Sequence, residues 1–164
     1  MRTRGFGVRA CLAVLLLAAA ACGPPVDLTR NLQVVDVSTG WFDLGIVNGQ
    51  TKLVPIVSFK LKNQSTQSLP VLQMNVLFHR VGNPAEWGAG FLPVTGSSGL
   101  APGATTDALS VKSNLGYTGS DQTRQEMMQS KVFVDATVQL FAKYGSTQWA
   151  KVGEYPVTRR LVNN

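Results

Sequence analysis

Histidine occurs once and cysteine twice in these 164 residues, and both scarcities exclude chemistry. A zinc centre draws on several imidazole and thiolate ligands, which His79, Cys11 and Cys22 do not supply. A Ser-His-Asp triad would have to use His79, yet no serine stands in a G-x-S-x-G elbow. The nine acidic residues are dispersed, and Asp27, Asp36 and Asp43 lack the alternating ligand spacing of a calcium loop. The glycines between positions 82 and 103 are not followed by the Lys-Ser/Thr of a phosphate-binding loop. Lysine and arginine are scattered singly, apart from Arg159–Arg160, so the basic stripe of a nucleic-acid binder is missing. There is no internal repeat and no heptad. Asn63-Gln64-Ser65 fits a glycosylation triplet, a three-residue match too common to weigh. The expectation is a protein without metal, cofactor or nucleic-acid partner, and not an enzyme.

What is present begins at the amino terminus, MRTRGFGVRACLAVLLLAAAACGPP. Arg2, Arg4 and Arg9 form a basic region with no acidic residue near them, and an uncharged apolar run extends from Ala10 to Ala21. That run is too short for a bilayer, which needs about 20 apolar residues, and has the length of a signal-peptide apolar region. Pro24 and Pro25 end it, because proline cannot continue a helix. Leu17 and Ala19-Ala20-Ala21 leading into Cys22 resemble the lipobox of bacterial lipoproteins, with Ala19 where leucine is usual. The resemblance implies cleavage after residue 21 and a diacylglyceryl group on the Cys22 thiol. Cys11 would leave with the signal, so no disulfide could form even in an oxidising compartment.

Removing the three signal arginines leaves twelve basic against nine acidic residues, so the net charge falls from +6 to about +3. The 143 residues from position 22 suit one domain. The division expected is a signal peptide at 1–21, a lipidated tether at 22–31, and one domain at 32–164.

That domain is written in strand residues with period-two alternation, punctuated by glycine, proline, asparagine and serine. Strands are expected at Leu32–Ser38, Trp41–Val47 and Lys52–Asn63, the second pair joined by the hairpin dipeptide Asn48-Gly49. Pro55 suggests an edge or a bulge. After the polar turn at 63–68, a strand over Leu69–Val81 should bury Leu72, Met74, Val76 and Phe78 and turn Gln73, Asn75 and His79 outward. His79 reads there as a solvated side chain. A short strand near Phe91, another over Thr105–Lys112, and a hairpin of Lys131–Tyr144 with Gln148–Arg160 complete the set. Ser120 or Asp121 could cap a short helix at 121–129, packing Met127 and Met128. The fold expected is all-β: an immunoglobulin-like antiparallel sandwich of seven or eight strands, with a small barrel as the alternative.

The succession SFKLKNQSTQSLP, a long strand, then GLAPG before another strand resembles small immunoglobulin-like domains of bacterial envelope lipoproteins, the FxLYD type among them. The likeness spans roughly residues 50 to 160 and is architectural, with VQLFAKYG standing where the aromatic-Leu-Tyr-Asp signature would be. It implies an accessory module of the cell envelope. Gly23 after the cysteine, instead of an aspartate that retains some lipoproteins in the inner membrane, implies an outer-membrane position facing the periplasm.

The residues left for recognition are aromatic: Trp41, Phe42, Trp87, Phe91 and Tyr117 in or beside loops. Aromatic anchors dominate many interfaces. Trp87, Phe91 and Tyr117 are the candidate contacts, whereas Trp41 and Trp149 read as core or strand-face residues. The partners expected are the membrane, through lipid on Cys22, and a protein of the envelope. Trp87 and Phe91 against a sugar face form the alternative, and a hydrolase of envelope polymers is the least favoured reading.

Overall fold

The computed structural model describes residues 24–162, so the expected signal and Cys22 lie outside the described residues. The first two expected strands are one. Strand β1 runs unbroken over Leu32–Val47 and pairs along its length with β2, Gln50–Asn63. Thr39 and Gly40 read as a break, but tertiary partners keep them in the ladder. The Thr39 hydroxyl donates to the Pro156 carbonyl, and a Cβ on Gly40 would lie 2.3 Å from Val162 Cγ2. Two bulges, near Asp36 (φ 53) and Gly45 (φ 77), absorb the irregularity. Asn48 and Gly49 both have positive φ, as the expected two-residue hairpin turn requires.

Pro55 sits in the middle of β2, opposite Trp41, and not at an edge. Its carbonyl accepts from Ser113 N–H, so its absent N–H faces the same side. On that side the neighbouring chain changes from β6, Tyr117–Gly119, to β5, Leu109–Lys112. The proline therefore falls at the gap between two partners, where no donor is needed.

The first sheet has the order β5-β2-β1-β9, with β6 also on β2. The second is β4-β3-β7-β8, built from Glu86–Pro93, Gln73–Arg80, Ala136–Lys143 and Ala150–Pro156. The two sheets form the immunoglobulin-like sandwich, with nine strands in the described residues. The ninth, β9 at Leu161–Val162, runs parallel to β1 beside Trp41 and Phe42. Leu53, Val57, Phe59 and Leu61 of β2 meet Met74, Val76 and Phe78 of β3 and Val138 and Leu140 of β7, all at most 1% exposed. The expected inward set of β3 is thus buried. That strand starts later than expected, at Gln73, because Val71 has φ 49. Strand β5 likewise keeps only Leu109–Lys112 of the expected Thr105–Lys112.

β4 and β5 close one corner of the sandwich. A Cβ on Gly90 would stand 2.3 Å from Val111 Cγ1, and one on Gly88 2.1 Å from Ser113 Oγ. The glycines of EWGAGF are there for this approach.

The later part of the segment expected as a tether, residues 26–31, is packed on the domain. Asp27 caps a four-residue helix α1, Leu28–Asn31, by accepting from Thr29 N–H, and Leu28 is 3% exposed in the core. Val26 N–H donates to the Tyr144 hydroxyl, and Gln67 Nε2 donates to the Pro24 carbonyl at 3.3 Å. An apolar residue at position 28 finds a place under the sheets, so the chain is packed from Val26 onward. The second helix, α2, spans Arg124–Gln129 and is capped by Thr123, not by Ser120 or Asp121. Thr123 and Glu126 form a reciprocal capping box. No helix of the described residues is long and apolar enough to cross a membrane.

Candidate functional site

The strand register places the β1–β2 hairpin, the start of β7, the ends of β3 and β8, and helix α2 together at one end of the sandwich. Residues 24–26 and the turns at 64–68 and 144–148 lie at the other. With about 3.3 Å per residue, the nine steps of β1 from Leu32 to Trp41 put the level of Trp41 roughly 30 Å from the other end.

At the hairpin end, four rings pack as one cluster. Trp41 is fully buried, its centroid 4.6 Å from Phe133, 5.6 Å from Tyr117 and 6.1 Å from Trp87. Trp87 and Tyr117 are 5.0 Å apart. These separations are within the favourable range for tilted and edge-to-face pairs. The Trp41 Nε1–H is buried without a hydrogen-bond partner, a cost that the packing of the rings must offset. Tyr117 is fixed twice, since its hydroxyl donates to the Val134 carbonyl and accepts Val134 N–H, each at 3.0 Å. The Arg80 guanidinium lies 4.8 Å over Trp87 and 5.6 Å from Tyr117, a cation–π contact at the cluster's exposed side.

Two of the three expected contact residues are therefore brought together, and the third is not. Trp87 lies at the bulge of β4 and turns toward the core. Phe91 lies opposite Asn75 on the outer face of the second sheet, 58% exposed. Trp87 and Phe91 occupy opposite faces of β4, so they cannot clasp one sugar. Trp41 is core, and Trp149 is a strand-end residue 39% exposed. Phe42 lies under the Lys112 ammonium, 3.4 Å from its ring centroid. His79 faces outward as expected but is half-buried, with Nδ1 3.1 Å from the Ala85 carbonyl and Nε2 without a partner. Met127 and Met128 pack into the core.

The residues that sequence reasoning missed surround this cluster. Val132 is 82% exposed and Ile46 74%, and Leu115, Val134 and Val81 are also exposed. The alternation Val-Phe-Val at 132–134 was the available signal; it reads as a strand, but the segment precedes β7 as a loop that sends Phe133 inward and its two valines out. Phe133 and Arg80 complete the ring cluster that Trp87 and Tyr117 begin.

The loop is held from below. Arg159 donates to the Met128 carbonyl at 3.1 Å and the Phe133 carbonyl at 2.7 Å, and pairs with Asp135. The Asp135 hydrogen bond raises the Arg159 pKa above its usual value. Arg160 donates to the Thr39 carbonyl and to Ser38. A cleft of about 530 Å³ runs between α2 and β9, lined by Gln125, Met128, Gln129, Arg159, Arg160 and Leu161. Its volume suits a small molecule, but both guanidiniums already serve the fold. The hollow beside Tyr117 and Phe133 holds only about 90 Å³. Among the described residues, no three His, Cys, Asp or Glu side chains come together to hold a metal.

No protein-family model and no curated protein matches the chain. Solved structures similar to it include the X-ray structure of Northeast Structural Genomics Consortium target SoR45. That match has 11% identity, covers 80% of this chain and 89% of the other, and has a TM-score of 0.45. A solution structure of an Arabidopsis thaliana protein matches at 17% identity over 93% of this chain and 94% of the other, also with a TM-score of 0.45. These likenesses add nothing on function to what the strand order shows.

Proposed function

We propose that this protein is a lipid-anchored, non-catalytic module of the bacterial cell envelope that binds a protein partner through its ring-cluster end. In this reading Cys22 is acylated, residues 1–21 are removed, and the domain faces the periplasm from the outer membrane. One observation carries the proposal. The chain enters at the Tyr144 end, while Val132, Ile46, Leu115 and Val134 are exposed around a rigid aromatic base at the far end. Contiguous exposed apolar residues on a soluble domain mark a surface that a partner covers. Anchoring at the opposite end leaves that surface free to meet a partner.

The test uses the full chain in its native host, with a photo-crosslinking amino acid at Val132 or Leu115, and at Ser97 as a control. The expected result is a discrete adduct from the first two positions that is absent from the third and lost when Val134→Glu is added. Equal yields at all three positions would remove the partner assignment. Mass measurement of the amino-terminal peptide reads the anchor separately, and an unmodified Cys22 ends the lipoprotein reading.

A further inference from the structure

The end of the domain opposite the ring cluster also has a composition to explain. Trp149 is 39% exposed there, and Val71 is 41% exposed. Tyr144 is half-buried, and Pro24 and Pro25 are exposed. Hydrogen bonds hold together the segments that carry these residues: Val26 to Tyr144, Gln67 to Pro24, and Gly145 N–H to the Pro70 carbonyl at 3.0 Å. The Lys143 ammonium lies 4.9 Å over the Trp149 ring. Neither Lys143 nor the exposed Lys62 has an ion pair among the described residues.

Val71 is held at φ 49, a region that β-branched residues rarely enter. Its N–H donates to the Gly96 carbonyl at 2.8 Å, and the next residue's N–H donates to Thr95 Oγ1, so the surrounding loop enforces the conformation. The result is an apolar side chain pushed outward where asparagine or glycine would be easier. Such an outlier asks for a functional reason.

We infer that this end is a seat for the membrane surface: Trp149, Tyr144 and Val71 enter the interfacial layer while Lys143 and Lys62 meet anionic headgroups. The inference rests on the lipoprotein reading above. Cys22 stands two residues before Pro24, and two extended residues reach no more than about 7 Å. A lipid on Cys22 would therefore hold this face, and no other, against the bilayer. Tryptophan and tyrosine favour that layer because their rings are apolar with one polar edge. Lysine beside them adds attraction to acidic lipid. The seat fixes the long axis of the sandwich upright, so the ring cluster stands well away from the membrane.

Tryptophan fluorescence tests the seat directly. Trp41 and Trp87 lie at the far end; Trp41 is nine residues along β1 from Leu32, about 30 Å by strand rise. Only Trp149 can meet lipid-borne bromine placed near the glycerol end of the acyl chains. The full acylated chain is reconstituted into phosphatidylethanolamine–phosphatidylglycerol vesicles, with and without brominated lipid. The expected result is a loss of the Trp149 share of the emission, absent in Trp149→Phe and reduced in Lys143→Glu. Equal emission in both kinds of vesicle, with acylation confirmed by mass, overturns the seat and leaves the anchor standing. A loss that persists unchanged in Trp149→Phe also overturns it. An unacylated chain overturns the anchor and the seat together.

Discussion

Asn63 is fully buried, and its side chain makes four hydrogen bonds, three within the turn it begins and one to Leu100 across the fold. Its Nδ2 donates to the Gln67 and Leu100 carbonyls, each at 2.8 Å, and its Oδ1 accepts Ser65 N–H at 2.9 Å and Ser65 Oγ at 2.7 Å. In Asn63→Asp the shape is kept, but an ionised carboxylate would set an oxygen against two carbonyl oxygens. Protonated, it donates to one of them, while the other keeps only its second donor, Leu69 N–H at Leu100 or the Ser65 hydroxyl at Gln67, so one hydrogen bond is lost at a cost of about 0.5–1.5 kcal/mol. The folded state therefore favours the protonated acid, and its pKa rises above the unfolded value near 3.9. The native state then binds more protons than the unfolded state, so stability falls as pH rises from about 4 to the folded pKa and stays low beyond it. Each unit of rise costs about 1.4 kcal/mol. A rise of two to three units, ordinary for a buried acid, adds about 3–4 kcal/mol by pH 7. Together the losses approach the stability of a typical domain, about 5–15 kcal/mol. Urea unfolding of wild type and variant at pH 4 and pH 7 measures the difference. A deficit identical at the two pH values would refute the assignment of donors and acceptors.

Gly90→Ala forces a methyl to within 2.3 Å of Val111 Cγ1, and is expected to cost about 1–3 kcal/mol by overpacking, read as a lowered unfolding temperature. A loss no larger in Gly90→Ala than in the exposed Gly96→Ala would disprove the corner contact. Thr123→Ala removes the cap of α2 and should cost about 1 kcal/mol, seen by urea unfolding at pH 7. In the wild type, the backbone N–H and hydroxyl of Thr123 lower the pKa of Glu126. The hydroxyl's part of that contribution is present above the ordinary carboxylate range and is lost as pH falls through the folded value, so the difference between the two proteins should shrink in acid to what the Glu126 N–H to Thr123 hydroxyl bond supplies. Val71→Asn places at φ 49 a residue that tolerates it, and stability should be unchanged or raised by up to about 1 kcal/mol, while vesicle binding weakens. A destabilised Val71→Asn would show that Val71 serves packing instead.

The alternation of Leu72, Met74, Val76 and Phe78 was legible because a strand's period of two is local, as was the Asn48-Gly49 turn. The fusion of two expected strands into β1 was not, because Thr39 is kept extended by Pro156, 117 residues away. Pro55 misled for the same reason, since its tolerance depends on a gap between β5 and β6. At the candidate site, Trp87 and Tyr117 stood out by ring type, but nothing near them in the chain announces Phe133 or Arg80. Phe91, four residues beyond Trp87 in one strand, went to the opposite face through a single bulge.

The sequence by itself determined the all-β class and the inward faces of its clearest strands. It also carries the lipobox-like approach to Cys22, because each of these is written in neighbouring residues. Only the tertiary structure decided which rings meet, which face Trp87 takes and where the chain first packs. Above all, it decided that residues 24–26 and the exposed valines of the ring cluster lie at opposite ends. Those outcomes depend on strand register and on contacts between residues far apart in the chain, where a shift of one position turns a side chain from core to surface.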